Sequence, residues 1–130
     1  MNPDTLTPEA VVARQLAAYN ARDIESFMAE WHDDARYFAH PDELLADGAA
    51  AIRARHLARF EEPDLHGRLM ARMSVDNLVV DHELVSRNFA EGRGTVSVIA
   101  IYQVEGGKIA RAWFKQGTPR LETTIEGIRR

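Results

Sequence analysis

A mixed α+β domain, with three N-terminal helices packed on a curved and mostly antiparallel sheet, is the fold class predicted by the apolar pattern. Up to about Phe60 apolar residues recur at helical spacing, and from about Leu65 the period becomes two, punctuated by short polar turns. With 130 residues and no repeat, low-complexity run or linker, the span 1–130 reads as one domain, its core at about 8–117 and a polar tail at 118–130.

The first helix starts at Thr7, whose hydroxyl suits an N-cap, followed by Pro8 at the first helical position and Glu9, which complements the helix dipole. Val12, Leu16 and Tyr19 give it an apolar face. Asn20-Ala21-Arg22 breaks it, and Asp23 caps a second, short helix with Ile24, Phe27, Met28 and Trp31 on one side. His32-Asp33-Asp34 reads as a turn, and residues 35–40 as a strand ended by Pro41, which cannot donate to a ladder. Asp47-Gly48 opens a third helix, with Ile52, His56, Leu57 and Phe60 along its stripe, stopping before Glu62-Pro63.

The remainder reads as four strands. Leu65, Gly67, Leu69, Ala71, Met73 and Val75 alternate with His66, Arg68, Met70, Arg72 and Ser74, and the turns fall at Asp76-Asn77, Glu91 to Gly94, and Glu105 to Lys108. Connections this short make the strands antiparallel neighbours. In the last two strands Val96, Val98, Ala100, Ala110, Ala112 and Phe114 should face the helices. Ile99, Ile101, Ile109 and Trp113 should form a second apolar face, which a homodimer would cover.

Composition narrows the function classes. Hydrophobic residues make up 45% and charged residues 28%, a balance typical of globular chains. No apolar run reaches the roughly 20 residues of a membrane span. Without cysteine there is no disulfide, thiolate nucleophile or cysteine-bound metal. The net charge of −4, with basic residues scattered, argues against nucleic acid. The start MNPDTLTPEA has no secretory pattern, so the expected location is cytoplasmic.

The order helix, helix, strand, helix, four-stranded meander resembles the NTF2-like superfamily, which includes steroid Δ-isomerases and SnoaL-type polyketide cyclases. The residues that carry the likeness are Thr7-Pro8-Glu9, the stretch Asn20-Ala21-Arg22-Asp23 through Trp31 to Asp33-Asp34-Ala35, Asp47-Gly48 to Ile52, and Tyr102 through Gly107-Lys108-Ile109. The resemblance implies a cone-shaped pocket for an apolar small molecule, bordered by Gln15, Trp31, Ala100, Tyr102, Phe114 and Gln116, with neither cofactor nor metal. It also implies that the steroid isomerase machinery is not retained: the phenol position falls on Gln15, the base on Ala39, and the buried acid on Ala100 or Ile101. One inserted residue in the first strand would put His40, of His40-Pro41, where those isomerases carry an acid-proline pair.

Among ionisable candidates, His40 suits a general base near neutral pH, against the commoner role of an exposed strand-end histidine. His82 would share a face with Val80 and Leu84 and could reach the pocket, although a hydrogen-bonded sheet histidine is the more frequent case. Glu83 points the other way from His82 and should pair across strands with Arg72 or Arg87. His56 reads as a packed core histidine. Tyr19, Tyr37 and Tyr102 could each present a phenol to a carbonyl oxygen, or simply bury a ring with its hydroxyl at a wet edge. The sequence thus points to a small-molecule-binding domain, either an acid/base isomerase, cyclase or dehydratase acting on an apolar carbonyl compound, or a noncatalytic binding or assembly module.

Overall fold

The structure, a computed structural model, describes residues 7–122. Helix α1 spans Pro8–Ala21, with Thr7 Oγ1 accepting from the Ala10 amide at 3.2 Å and Arg22 closing it in the left-handed region. Val11, Val12, Gln15 and Ala18 form its buried side. Helix α2 is a short Ile24–Met28 segment capped by Asp23. Strand β1 then runs from Trp31 to Ala39, so Trp31 begins a strand rather than ending a helix, and His32-Asp33-Asp34 lies within it rather than in a turn.

A second strand not foreseen from sequence, β2 at Glu43–Asp47, pairs antiparallel with β1. Helix α3 covers Ala49–Arg59 and starts at Gly48, whose φ of 94° favours glycine. The three helices are therefore not one consecutive N-terminal group: α3 follows two strands. Ile52 and His56 are its buried residues, while Leu57 is exposed.

Four long strands complete the sheet: β3 His66–Val75, β4 Leu78–Phe89, β5 Gly92–Glu105 and β6 Lys108–Gln116. The order is β2-β1-β6-β5-β4-β3, with only the β1–β6 pair parallel. The expected polar tail is described as far as Glu122, and within it β7, Arg120–Leu121, pairs with β5. The rest of that tail lies outside the described residues. No helix among the described residues is long and apolar enough to cross a membrane.

Two register shifts change which side chains face the helices. Opposite Leu69 and Ala71 the β3–β4 ladder skips Met70, so Leu69 stands opposite Glu83 but Arg72 opposite Asp81. The bulge sends Ala71, Met73 and Val75 to the outer face and brings Arg72 inward. A second shift, between Gln103 and Val104, pairs Val104 with Ile109 and Gln103 with Arg111. Ile109 is consequently buried in the core and leaves the proposed dimer face, and Ala110 faces away from the helices. Val96, Val98, Ala100 and Ala112 are buried as expected.

The core forms two clusters. One joins α1, α2 and α3 to β1, β5 and β6 around Phe27, Trp31, Ile52 and Tyr102; the other comprises Leu65, Val85, Val96 and Val98. Tyr19, Phe60 and Phe114 touch both, and a cleft lies where they meet.

Candidate active site

The cleft is built from one face of α1 (Gln15, Tyr19), one of α3 (His56, Arg59) and the inward side of the sheet (Tyr37, Glu83, Val85, Val98, Tyr102, Phe114, Gln116), with Arg87 beside Arg59. Its cavity is narrow, about 50 Å3, inside about 540 Å3 of atom-free space that includes the open mouth.

Glu83 is the side chain that gives it chemical character. On β4 the residues Val79, Asp81, Glu83 and Val85 all point inward and all are buried. The two carboxylates fare differently. Asp81 is wholly buried but receives both Nε and Nη2 of Arg72, at 2.7 and 2.9 Å. Glu83 has no such partner: Arg72 is taken by Asp81, and Arg87 by Glu62 through bonds of 2.8 Å and 2.8 Å. The expected cross-strand pair of Glu83 with either arginine is therefore absent. Burial, reinforced by the Asp81 charge and opposed by Arg72, pushes the Glu83 carboxyl up to about 7.

Donors surround it. Tyr102 is buried, and its hydroxyl accepts from Gln15 Nε2 at 3.4 Å, leaving its own proton free to be donated. Burial raises the pKa of Tyr19, Tyr37 and Tyr102, so all three stay phenols at neutral pH. His56 Nδ1–H donates to the Ile52 carbonyl at 2.8 Å, which leaves Nε2 as an acceptor. Burial holds its pKa down at about 4, so it lines the cleft as neutral imidazole.

The entrance is held by polar ties between elements. Asn20 at the end of α1 both accepts from the Gly67 amide, at 2.8 Å, and donates to the Gly67 carbonyl, at 2.9 Å. Glu62 joins Arg59, Arg87 and the Asn88 amide.

Of the residues singled out from sequence, Tyr19, Tyr37, Tyr102, Gln15, Phe114 and Gln116 line this cleft. Trp31 and Ala100 are core residues behind it. His40 is exposed and lines an adjoining cleft that shares Tyr37, Phe114 and Gln116. His82 alternates with Asp81 and Glu83 and so sits on the outer face, away from the cleft. Glu83, read from sequence as a cross-strand partner of Arg72 or Arg87, carried a usable signal: Asp81 and Glu83 occupy the same strand face as Val79 and Val85. Among the described residues no cluster of three or more histidine or acidic side chains could hold a metal.

A SnoaL-like domain model matches residues 12–112. The chain belongs to the SnoaL-like domain family and has the NTF2-like fold. Among solved structures it is similar to an uncharacterized cystatin-fold protein from Novosphingobium aromaticivorans, at 25% identity and TM-score 0.78, over 83% of this chain and 97% of that one. An NTF2-like protein from Cytophaga hutchinsonii matches at 13% identity and TM-score 0.72, over 85% and 90% of the two chains. A protein of ketosteroid isomerase-like fold from Catenulispora acidiphila matches at 14% and 0.70, over 83% and 85%. No curated protein gives a significant match.

Proposed function

We propose that this SnoaL-like domain is a general acid–base enzyme in which Glu83 moves a proton at a carbon next to a carbonyl group of an apolar small molecule. The observation that carries the reading is a buried, unpaired carboxyl with a pKa near 7 in an open cleft that also holds protonated phenols. In the step, the Glu83 carboxylate takes the proton from the α-carbon. The C–H electrons form the C–C double bond of an enolate, and the carbonyl π electrons pass to oxygen. Tyr102 and Tyr37 donate hydrogen bonds to that oxygen. Returning the proton to another carbon isomerises the substrate, and bond formation or loss of water from the same enolate would give cyclisation or dehydration.

The base role passes from His40 to Glu83 on position: His40 is exposed in the adjoining cleft, while Glu83 stands inside the cavity. A noncatalytic module would suit a closed or wholly apolar cavity, whereas this one is open and polar-lined. The reading also takes the domain to be a homodimer, because Phe38, Trp113, Ile101, Val80 and Met73 stand side by side across five strands on the outer face. Phe38 stacks on Trp113 at 5.7 Å.

The test is deuterium incorporation from D2O into a panel of β,γ-unsaturated ketones and β-dicarbonyl compounds, followed by proton NMR. Wild type should exchange α-protons with a rate that rises with pH through about 7, and Glu83→Gln should lower it by about two to four orders of magnitude. Equal rates in the two proteins would refute the assignment.

A further inference from the structure

The arginines near the cleft differ in what they already hold. Arg59 and Arg87 share Glu62, at 3.5 and 2.8 Å, and Arg72 holds Asp81. Arg55, one helical turn before Arg59, has no carboxylate partner among the described residues, and its Nε is buried without a hydrogen bond. Its guanidinium lies 5.3 Å from the centre of the Tyr37 ring. A half-buried guanidinium with an orphaned donor is a costly arrangement unless an anion completes it.

Around Arg55 the protein forms a second cleft of about 330 Å3, several times roomier than the cavity that holds Glu83. Its walls are Ala39, Leu45 and Phe114, its other charged-capable groups are His40 and Lys115, and no aspartate or glutamate lines it. Tyr37, Phe114 and Gln116 belong to both clefts, so the two adjoin across one aromatic partition in which Tyr37 stacks on Phe114 at 4.4 Å. The Tyr37 hydroxyl interacts with the Arg55 guanidinium by charge and hydrogen bonding, and also lies in the fields of Arg59 and Glu83.

We propose that this second cleft is an anion subsite: Arg55, with Lys115 and His40 at its rim, takes a carboxylate carried by the substrate, whose apolar body lies against Phe114 and whose carbonyl end reaches Glu83. The substrate class is therefore an apolar carbonyl compound bearing an acid group. This rests on the proton-transfer reading only for the identity of the reacting end; the subsite is a binding claim and is tested without catalysis.

The probes are 2-naphthoate and its neutral counterpart 2-naphthamide, titrated calorimetrically into the full chain at about pH 6 and low salt, where surface charge is least screened. Wild type should bind the carboxylate about tenfold or more tightly than the amide, as a charge-assisted pair with arginine would give. Arg55→Met should abolish that preference while leaving amide binding unchanged, and Arg55→Lys should keep part of it, which separates lost charge from a damaged fold. Glu83→Gln should retain it, so loss of proton transfer and loss of the subsite are distinguishable. No preference in wild type, including no binding of either probe at millimolar concentration, overturns the proposal. So does a preference that survives Arg55→Met, or one removed by Arg59→Gln with Arg55 intact.

Discussion

The carboxylate of Glu83 rests against the bare face of Gly67: a Cβ at residue 67 would stand 3.2 Å from Glu83 Oε1, and 3.2 Å from Leu16 Cδ1. Glycine here makes room for the proposed base, while Asn20 clamps its backbone to α1. Both contacts are ends of side chains, so Gly67→Ala should fold and lose only about 1 kcal/mol of stability, the low end for overpacking. Because it displaces the carboxylate by a few tenths of an ångström, it should lower turnover about tenfold. Thermal melts and single-substrate kinetics check the two effects, and an unaltered rate would separate Gly67 from the function of Glu83.

Glu83 and His56 should oppose each other in the pH dependence of stability. The folded Glu83 pKa is raised from 4.5 to about 7, so its contribution is fully present below pH 4.5 and is lost as pH rises to about 7. His56 is depressed from 6.5 to about 4, so its contribution is present above pH 6.5 and is lost as pH falls toward 4. Between those limits the two slopes cancel in wild type. Glu83→Gln removes one of them: its stability should climb from pH 4.5 to 6.5 and exceed wild type above pH 7 by up to about 3 kcal/mol. Urea unfolding at several pH values measures this, and parallel curves for the two proteins would contradict it.

Arg72→Met should be among the most damaging single substitutions, because it leaves Asp81 wholly buried without its two bonds at 2.7 and 2.9 Å. Removing one member of a buried pair typically costs about 3–5 kcal/mol. It also removes the positive charge that lowers the Glu83 pKa, so that carboxyl should titrate still higher. Carbon-detected NMR of the glutamate carboxyls reads the shift, and a downward movement would show that Arg72 does not act on Glu83.

The outer face should pair two copies of the chain. Sedimentation of wild type at micromolar concentration should give twice the chain mass, and Trp113→Ala should weaken association, since Trp113 sits mid-row between Phe38 and Ile101. A wild-type monomer under those conditions would rule this interface out.

Most of the fold was legible because two periodicities are written directly into the chain. The 3.6-residue recurrence in α1 and α3, the caps at Thr7 and Asp23, and the alternation from Val96 to Val104 are local features, each fixed within a turn or a strand. Part of the lining was legible too: Tyr19 follows from the phase of α1 and Tyr102 from that of β5, while Gln15 and Phe114 were marked by the family resemblance. Strand β2 was not, because Glu43–Asp47 is only five residues long and its run Leu44-Leu45-Ala46 does not alternate.

The sequence by itself thus determined the fold class, the inward phase of α1 and β5, and the family. Tertiary structure alone decided which carboxylate is left without a partner. Arg72 meets Asp81 only because the bulge at Met70 adds one residue to β3, and an extra residue is invisible to a period of two. The same holds at the β5–β6 shift, which moved Ile109 from the outer face to the core. Once Arg72 and Arg87 are committed to Asp81 and Glu62, Glu83 is buried without a cation bonded to it, and desolvation outweighs the field of Arg72, so its pKa rises. Pairing of charges is settled by the register between neighbouring strands, as for Arg72 and Asp81, and by contacts across the fold, as for Arg87 and Glu62, and the period within one element encodes neither.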